Sequence, residues 1–271
     1  PPYRRLVFME NTGRGGSAVT AKELGRWFDH LLECDRFEAG DPSKNGLQVE
    51  NDGAGITRVA FAVDACLETI ERAAAAGADM LVVHHGLFWK DIERVTGPHY
   101  RRLKALLDAN IALYASHLPL DAHAEVGNNA GLADRIGLVD REPFGLWRGM
   151  VIGVSGRFET PVTPDTLVKR LFPEDAQPPC ILAFGPRELG TAAVVSGGAS
   201  YELYQAIAAG YDCFITGEIG HEEYHHAREN GITVIAGGHY RTETVGVQLL
   251  AARLGRETGL DTVFIDVPTN L

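Results

Sequence analysis

The sequence predicts an α/β fold built from two similar, internally duplicated α/β halves, with mainly parallel or mixed sheets and a functional site between them. Three observations lead there. Short apolar runs alternate with helical patterns of about ten residues, the signature of βαβ units. A histidine that closely follows an apolar run and has a carboxylate four residues later occurs twice, as His117-Leu118-Pro119-Leu120-Asp121 and as His239-Tyr240-Arg241-Thr242-Glu243, 122 positions apart. Each copy follows an apolar run, Ile111-Ala112-Leu113-Tyr114-Ala115 in one case and Ile232-Thr233-Val234-Ile235-Ala236 in the other.

The elements follow in order. Residues 1–17 are Arg/Gly-rich, have no signal-peptide core, and read as a flexible tail or appended remnant. The first half is placed at 18–139 and the second at 140–271. Thr20-Ala21-Lys22-Glu23 is a capping box, and Leu24, Trp27, Phe28 and Leu31 then recur at helical spacing. Asn45-Gly46-Leu47-Gln48-Val49 reads as a turn and short strand, and Val59-Ala60-Phe61-Ala62-Val63 as a strand. A helix over 66–76 stops at Gly77. Met80-Leu81-Val82-Val83 is a continuous apolar run, as in a strand covered on both faces, and it ends at His84-His85-Gly86. The stretch 140–150 reads as the crossing between halves. Thr163-Pro164 then opens a helix to Leu171. Strands follow at Ile181–Phe184, Ala192–Val195 and Cys213–Thr216, with a helix over 200–209 between the last two. A final helix over 242–257 and a strand at Thr262–Ile265 complete the pattern. Aligning Gly77-Ala78-Asp79 with Gly210-Tyr211-Asp212 sets His85 opposite Glu218.

Composition narrows the function. Of 271 residues, 45% are hydrophobic and 23% charged, ordinary for a globular chain. The formal charge of -11 disfavours nucleic acid as a partner, except through the site itself. No apolar run approaches the ~18 residues that span a bilayer. Cys34, Cys66, Cys180 and Cys213 contain no CxxC pair. The last three sit among apolar residues and read as buried reduced thiols, which suits a cytoplasmic location.

Imidazole and carboxylate are the common ligands of zinc, iron, manganese and nickel. His84, His85, His117, Asp121, Glu218, His239 and Glu243 all fall just after expected strands, where α/β sheets gather functional groups. Consecutive strand residues point to opposite faces, so His84 and His85 reach one place only where the backbone turns at Gly86. Asp121 and Glu243 can bridge cations or can cap helices. His117 either ligates or hydrogen-bonds a ligand or a bound water. Gly237-Gly238 allows close backbone approach beside His239. His221-Glu222-Glu223-Tyr224-His225 is a literal HExxH, but it follows a parallel-type strand, and Arg228 stands where the extended zinc motif needs Gly. It reads as a polar surface helix. Ser196-Gly197-Gly198-Ala199-Ser200, between a strand and a helix, is either a tight turn or a phosphate cradle.

With these residues assembled, the chain resembles the YbgI-like family of dinuclear-metal-centre proteins, often called type-two GTP cyclohydrolase I homologues. The matching stretches are Asn45-Gly46-Leu47-Gln48-Val49, Val83-His84-His85-Gly86-Leu87-Phe88-Trp89, His117-Leu118-Pro119-Leu120-Asp121-Ala122-His123, Gly127-Asn128-Asn129, Thr216-Gly217-Glu218 and Gly237-Gly238-His239-Tyr240-Arg241-Thr242-Glu243. They cover nearly all of 18–271. The resemblance implies a toroidal homohexamer with metal sites facing an internal cavity. It implies two divalent metal ions per chain (zinc, iron, manganese or nickel), with His84, His85, Asp121, His239 and Glu243 as ligands and Glu243 as bridge. His117 sits beside them. The activity it implies is hydrolytic opening of the guanine ring of GTP at C8 with loss of formate, His117 or Glu218 moving protons. The substrate is then a small molecule, with a nucleotide as the candidate. Two other readings stay open: a two-metal phosphoesterase or nuclease, and a non-catalytic metal-binding hexameric scaffold.

Overall fold

The structure is a computed structural model and describes residues 18–91, 94–173 and 180–271. The tail at 1–17 lies outside the described residues. In chain order the elements are α1 (Ala21–Leu31), β1 (Gly46–Val49), β2 (Arg58–Asp64), α2 (Leu67–Ala75), β3 (Met80–His85), α3 (Gly97–Asp108), β4 (Ala112–Ala115), α4 (Leu118–Ala122), α5 (Asn128–Ile136), β5 (Leu138–Trp147), β6 (Met150–Val162), α6 (Pro164–Leu171), β7 (Cys180–Ala183), β8 (Leu189–Val195), α7 (Leu203–Ala209), β9 (Cys213–Thr216), α8 (Glu223–Asn230), β10 (Thr233–Ala236), α9 (His239–Thr258) and β11 (Asp261–Phe264).

Two sheets carry the duplication. One has the order β1-β4-β3-β2-β11 and the other β5-β6-β8-β9-β10-β7. In each, three parallel strands lie side by side, β2-β3-β4 and β8-β9-β10. In each, an antiparallel strand flanks the last of the three, β1 on β4 and β7 on β10. The register pairs Val83 with Ala115 and Thr216 with Ala236. Val83 therefore corresponds to Thr216, and counting on two residues sets His85 against Glu218, as the sequence alignment expects. A repeated side-chain clamp supports the same alignment. Asp79 Oδ2 accepts from Thr57 N, Thr57 Oγ1 and Arg58 N, and Asp212 Oδ2 accepts from Gly190 N, Thr191 N and Thr191 Oγ1.

Strand alternation divides the core. Val59, Phe61 and Val63 of β2 pack toward α1 and α9 with Phe28, Tyr114 and Leu250, while Ala60 and Ala62 face α2 and α3 with Ile70 and Leu106. In the second sheet, Val194 and Ile215 face α5 and α6 with Leu132 and Leu167. Val195 and Phe214 face α7 and α8 with Leu203 and Ala227. A fully buried side chain of this size stabilises by about 1.5–3 kcal/mol. Helix α9 joins the halves, with Leu250 and Leu254 in the first core and Val245 in the second.

Three features differ from the sequence reading. The stretch 140–150 is not a simple crossing. It lies in the hairpin of β5 and β6, which pairs Leu138 with Phe158 and Trp147 with Met150. Half-exposed strands rich in Arg, Gly and Pro give little periodic signal. The boundary drawn at 139/140 falls within β5, and β11 returns to the first sheet beside β2. The cysteines are all free, but only Cys34 and Cys213 are buried. Cys180 is exposed on the edge strand, and Cys66 is half-buried, its sulfur accepting from Thr69 N at the start of α2. No helix among the described residues is long and apolar enough to cross a membrane.

Candidate metal centre

The carboxyl ends of the parallel strands of both sheets converge on one cluster. His84 and His85 end β3, His117 and Asp121 bracket the start and end of α4 after β4, and His239 and Glu243 open α9 after β10. Among the described residues, three groups have ligand atoms within 4.8 Å of one another: His84/His85/His117, His85/His239/Glu243 and His84/Asp121/Glu243. All five residues expected as ligands are therefore together, and His117 joins them.

The histidines are held alike. His84 Nδ1 donates to Ser116 O at 3.0 Å, since a carbonyl only accepts. His85 Nδ1 meets Asp64 Oδ1 at 2.8 Å, His117 Nδ1 meets Asp41 Oδ1 at 2.8 Å, and His239 Nδ1 meets Glu218 Oε1 at 2.5 Å. With Nδ1–H donated to oxygen, each neutral ring offers its Nε2 lone pair, the second-sphere pattern of metal-binding histidines.

The carboxylates are oriented as closely. Asp121 Oδ1 accepts from Asn128 Nδ2 at 2.8 Å and Ser196 Oγ at 2.9 Å, while Oδ2 lies 3.4 Å from His84 Nε2. Glu243 Oε1 lies 3.4 Å from His84 Nε2 and 3.1 Å from His239 Nε2, and Oε2 lies 3.4 Å from His85 Nε2. His84 is 0% and Glu243 3% exposed, yet His84 Nε2 and Glu243 Oε2 make no well-formed hydrogen bond. Buried polar atoms without partners are costly. Here they are of the kinds that ligate divalent ions, and the residues present fit such a group.

Charge supports the same conclusion. Burial alone would lower the basicity of His84, but the facing Asp121 and Glu243 carboxylates outweigh it and raise its pKa to about 10. The hydrogen bond to Glu243 is the main cause that raises His239 to about 9, against burial. Burial pushes the Glu243 carboxyl up, but His84, His239 and His85 hold it far below the usual range. Without a metal, protons do the work of the cation.

The remaining sequence readings find their places. Glu218 stands outside the three groups and orients His239 from behind. The HExxH histidines do not share a helix face, because His221 precedes α8, and both His221 and His225 are exposed. Ser196-Gly197-Gly198 is no open phosphate cradle. Gly197 N donates to Thr242 Oγ1, and Gly197 O accepts from Gly217 N and Glu218 N. The glycine that crowds the centre is Gly197, since a Cβ there would stand 2.3 Å from Glu243 Oε1. Gly237 instead faces the Phe172 ring, 2.3 Å from a built Cβ.

Sequence reasoning missed Asp41 and Asp64, and it quoted Asn128 and Ser196 in motifs without foreseeing that both hold Asp121. Asp64 ends an apolar strand and carried a positional signal. Asp41 lies in an irregular stretch that carried none, yet it accepts from His117 Nδ1, Leu118 N, Ser43 N and Asn45 Nδ2. Burial raises its pKa, but the His117 hydrogen bond and charge, with the other donors, bring it below the ordinary value.

Fold and site together define a duplicated α/β protein with a buried histidine–carboxylate cluster of metal-ligand type. The chain belongs to the Duf34/NIF3 (NGG1p interacting factor 3) family, whose sequence profile matches residues 19–271. A Treponema pallidum protein named GTP cyclohydrolase 1 type 2 homolog is 48% identical, covering 93% of this chain and 100% of its own. An Archaeoglobus fulgidus protein of the same name is 45% identical over 92% and 98%. Among solved structures, one from Thermus thermophilus superposes with a TM-score of 0.86 at 40% identity, covering 93% of this chain and 100% of its own. Protein ybgI, described as of unknown function, superposes with a TM-score of 0.84 at 34% identity over the same shares.

Proposed function

We propose that this protein is a dinuclear-metal-dependent hydrolase acting on a purine nucleotide, with ring opening of GTP as the reaction. The observation that carries this is the set of four imidazoles whose Nδ1 atoms are tied to oxygen, with the Nε2 atoms of His84, His85 and His239 toward the buried carboxylates of Asp121 and Glu243 and His117 grouped with His84 and His85. The name borne by the Treponema and Archaeoglobus relatives supports the substrate class. His84, His85, Asp121, His239 and Glu243 are the proposed ligands of two divalent ions (zinc, iron, manganese or nickel). Glu243 would be the carboxylate shared by the two ions, since Oε1 faces His84 and His239 and Oε2 faces His85. When bound, such a pair supplies Lewis acidity and a nucleophilic water at neutral pH.

The chain's own groups then have distinct tasks. Asp41 keeps His117 Nε2 directed into the cluster, where it takes and returns a proton as general base. Glu218 fixes the His239 ring through Oε1, and its half-exposed side chain passes protons to solvent. The assembly proposed is a cytoplasmic homohexamer, with the centre facing its interior. The test is formate release from GTP by protein loaded with each metal in turn. Release by wild type, lowered at least 100-fold in Glu243→Ala, is expected. No turnover of any purine nucleotide in any metal form would sink the reading. Cleavage of a generic phosphodiester instead, abolished by His84→Ala, would replace it with a phosphoesterase.

A further inference from the structure

Beside the candidate centre lies a cavity of about 1000 Å³ whose walls include Arg135, Arg170, Arg241, Phe172, Glu218 and Asp266. Its arginines are placed by reciprocal contacts. Arg135 Nη1 donates to Leu171 O at the end of α6, and Arg170 Nη1 donates to Ile136 O at the end of α5. Each guanidinium thus caps the other's helix, which brings the two cations together at one rim. A guanidinium has five N–H donors, so capping uses only a fraction of them. Neither Arg135 nor Arg170 meets a carboxylate among the described residues. Arg241 stacks on Phe172, 4.2 Å from the ring centroid.

The acids of the same walls are committed. Glu218 accepts from His239 Nδ1, and Asp266 accepts from Tyr240 OH at 2.7 Å. Burial lowers the pKa of Arg135, as expected for a cation partly withdrawn from water. Two guanidiniums that meet no carboxylate among the described residues, in a chain of net charge -11, are a pattern for binding an anion, since the rest of the surface would repel one.

We propose that this cavity is an anion subsite for an oligophosphate, with Arg135 and Arg170 as its principal ligands. The planar guanidinium fork matches phosphate oxygens in bidentate fashion, and a cavity of this size holds a nucleotide-sized ligand. Glu218 and Gly238 are common to this wall and to the surroundings of His239. The reading as the seat of a substrate's phosphate tail rests on the proposed nucleotide hydrolase. A free oligophosphate effector has the same chemistry.

The probe is inorganic tripolyphosphate, titrated calorimetrically into metal-free protein at low salt, so that the metal centre takes no part. Wild type is expected to bind it, and Arg135→Gln/Arg170→Gln to bind at least tenfold more weakly with unchanged capacity for zinc. Because both residues also cap helices, circular-dichroism melts accompany the titration, and Arg135→Lys/Arg170→Lys serves as a second variant. That variant keeps the charges and is expected to retain most of the binding. A double Gln variant that melts lower but binds as wild type would reduce both residues to caps and overturn the proposal, as would binding that appears only in metal-loaded protein. Displacement of tripolyphosphate by GTP but not guanosine assigns the subsite to a substrate tail, and simultaneous binding assigns it to an effector. Failure of GTP turnover leaves the titration intact, so the two readings fail separately.

Discussion

Gly197→Ala and Gly198→Ala should behave oppositely although the residues are adjacent. Gly197 has φ +64, and a Cβ there would stand 2.3 Å from Glu243 Oε1 and 3.3 Å from His239 Nε2. Normal carbon–oxygen contact needs more than a further 1 Å, by the ~3.5 Å optimum for non-bonded atoms. Glu243 is 3% exposed and packed against imidazoles, so it has little room to retreat. The left-handed backbone adds about 1–2 kcal/mol of strain for a residue with a Cβ. Displacing a bridging carboxylate by 1 Å should weaken metal binding at least as much as losing an outer-sphere partner, about 10–100-fold. Gly198 has no positive φ, and its Cβ would meet His239 Cε1 at an ordinary 3.6 Å. The assay is metal content by elemental analysis after dialysis, with zinc affinity from chelator competition and thermal melts alongside. Gly197→Ala should lose metal and Gly198→Ala should keep it. Full metal affinity in Gly197→Ala would refute the placement of Glu243 at the centre.

Other consequences are as direct. Glu243→Ala should lose both metals together, read as the fall from about two ions per chain; one tightly retained ion would exclude a bridging role. Asp41→Asn should lower formate release about 100-fold at unchanged metal content, because His117, the proposed general base, loses its carboxylate acceptor; full turnover would remove His117 from that role. Asp79→Asn tests the repeated clamp by pH. Burial raises the Asp79 pKa, but the donors Arg58 N, Thr57 N and Thr57 Oγ1 and the Arg58 charge outweigh it, so the folded value lies below the unfolded one. Its stabilisation is therefore present above the unfolded pKa near ~3.9 and is lost as pH falls through the folded value. The variant should be about 2 kcal/mol less stable than wild type at pH 7 in urea titrations, from lost charged hydrogen bonds, and the gap should close in strong acid. A gap independent of pH would contradict this.

Ligand types and strand ends were legible in the sequence because local rules govern them. A βαβ chain delivers the residues after its strands to one edge, so His84, His85, His117, Asp121, His239 and Glu243 had to be near one another once the duplication was seen. The alignment of Asp79 with Asp212 was equally local, and the two clamps bear it out. The β5–β6 hairpin was not legible, since its half-exposed strands break the hydrophobic alternation that reveals a strand. Nor was the return of β11, because strand order depends on how α9 spans both cores.

The sequence by itself determined that two His-xxx-carboxylate pairs stand just after strands, and that the second half offers Gly217 and Glu218 where the first has His84 and His85. Only the tertiary structure decided where each stands and what holds it. It placed Asp41, which is 76 residues away in the chain, behind His117, turned Glu218 into the support of His239, and kept His117 among the candidate ligands. Ligand type is a property of one side chain. Ligand geometry is set by the hydrogen bond on the far side of the ring, which comes from whatever distant segment the fold brings there.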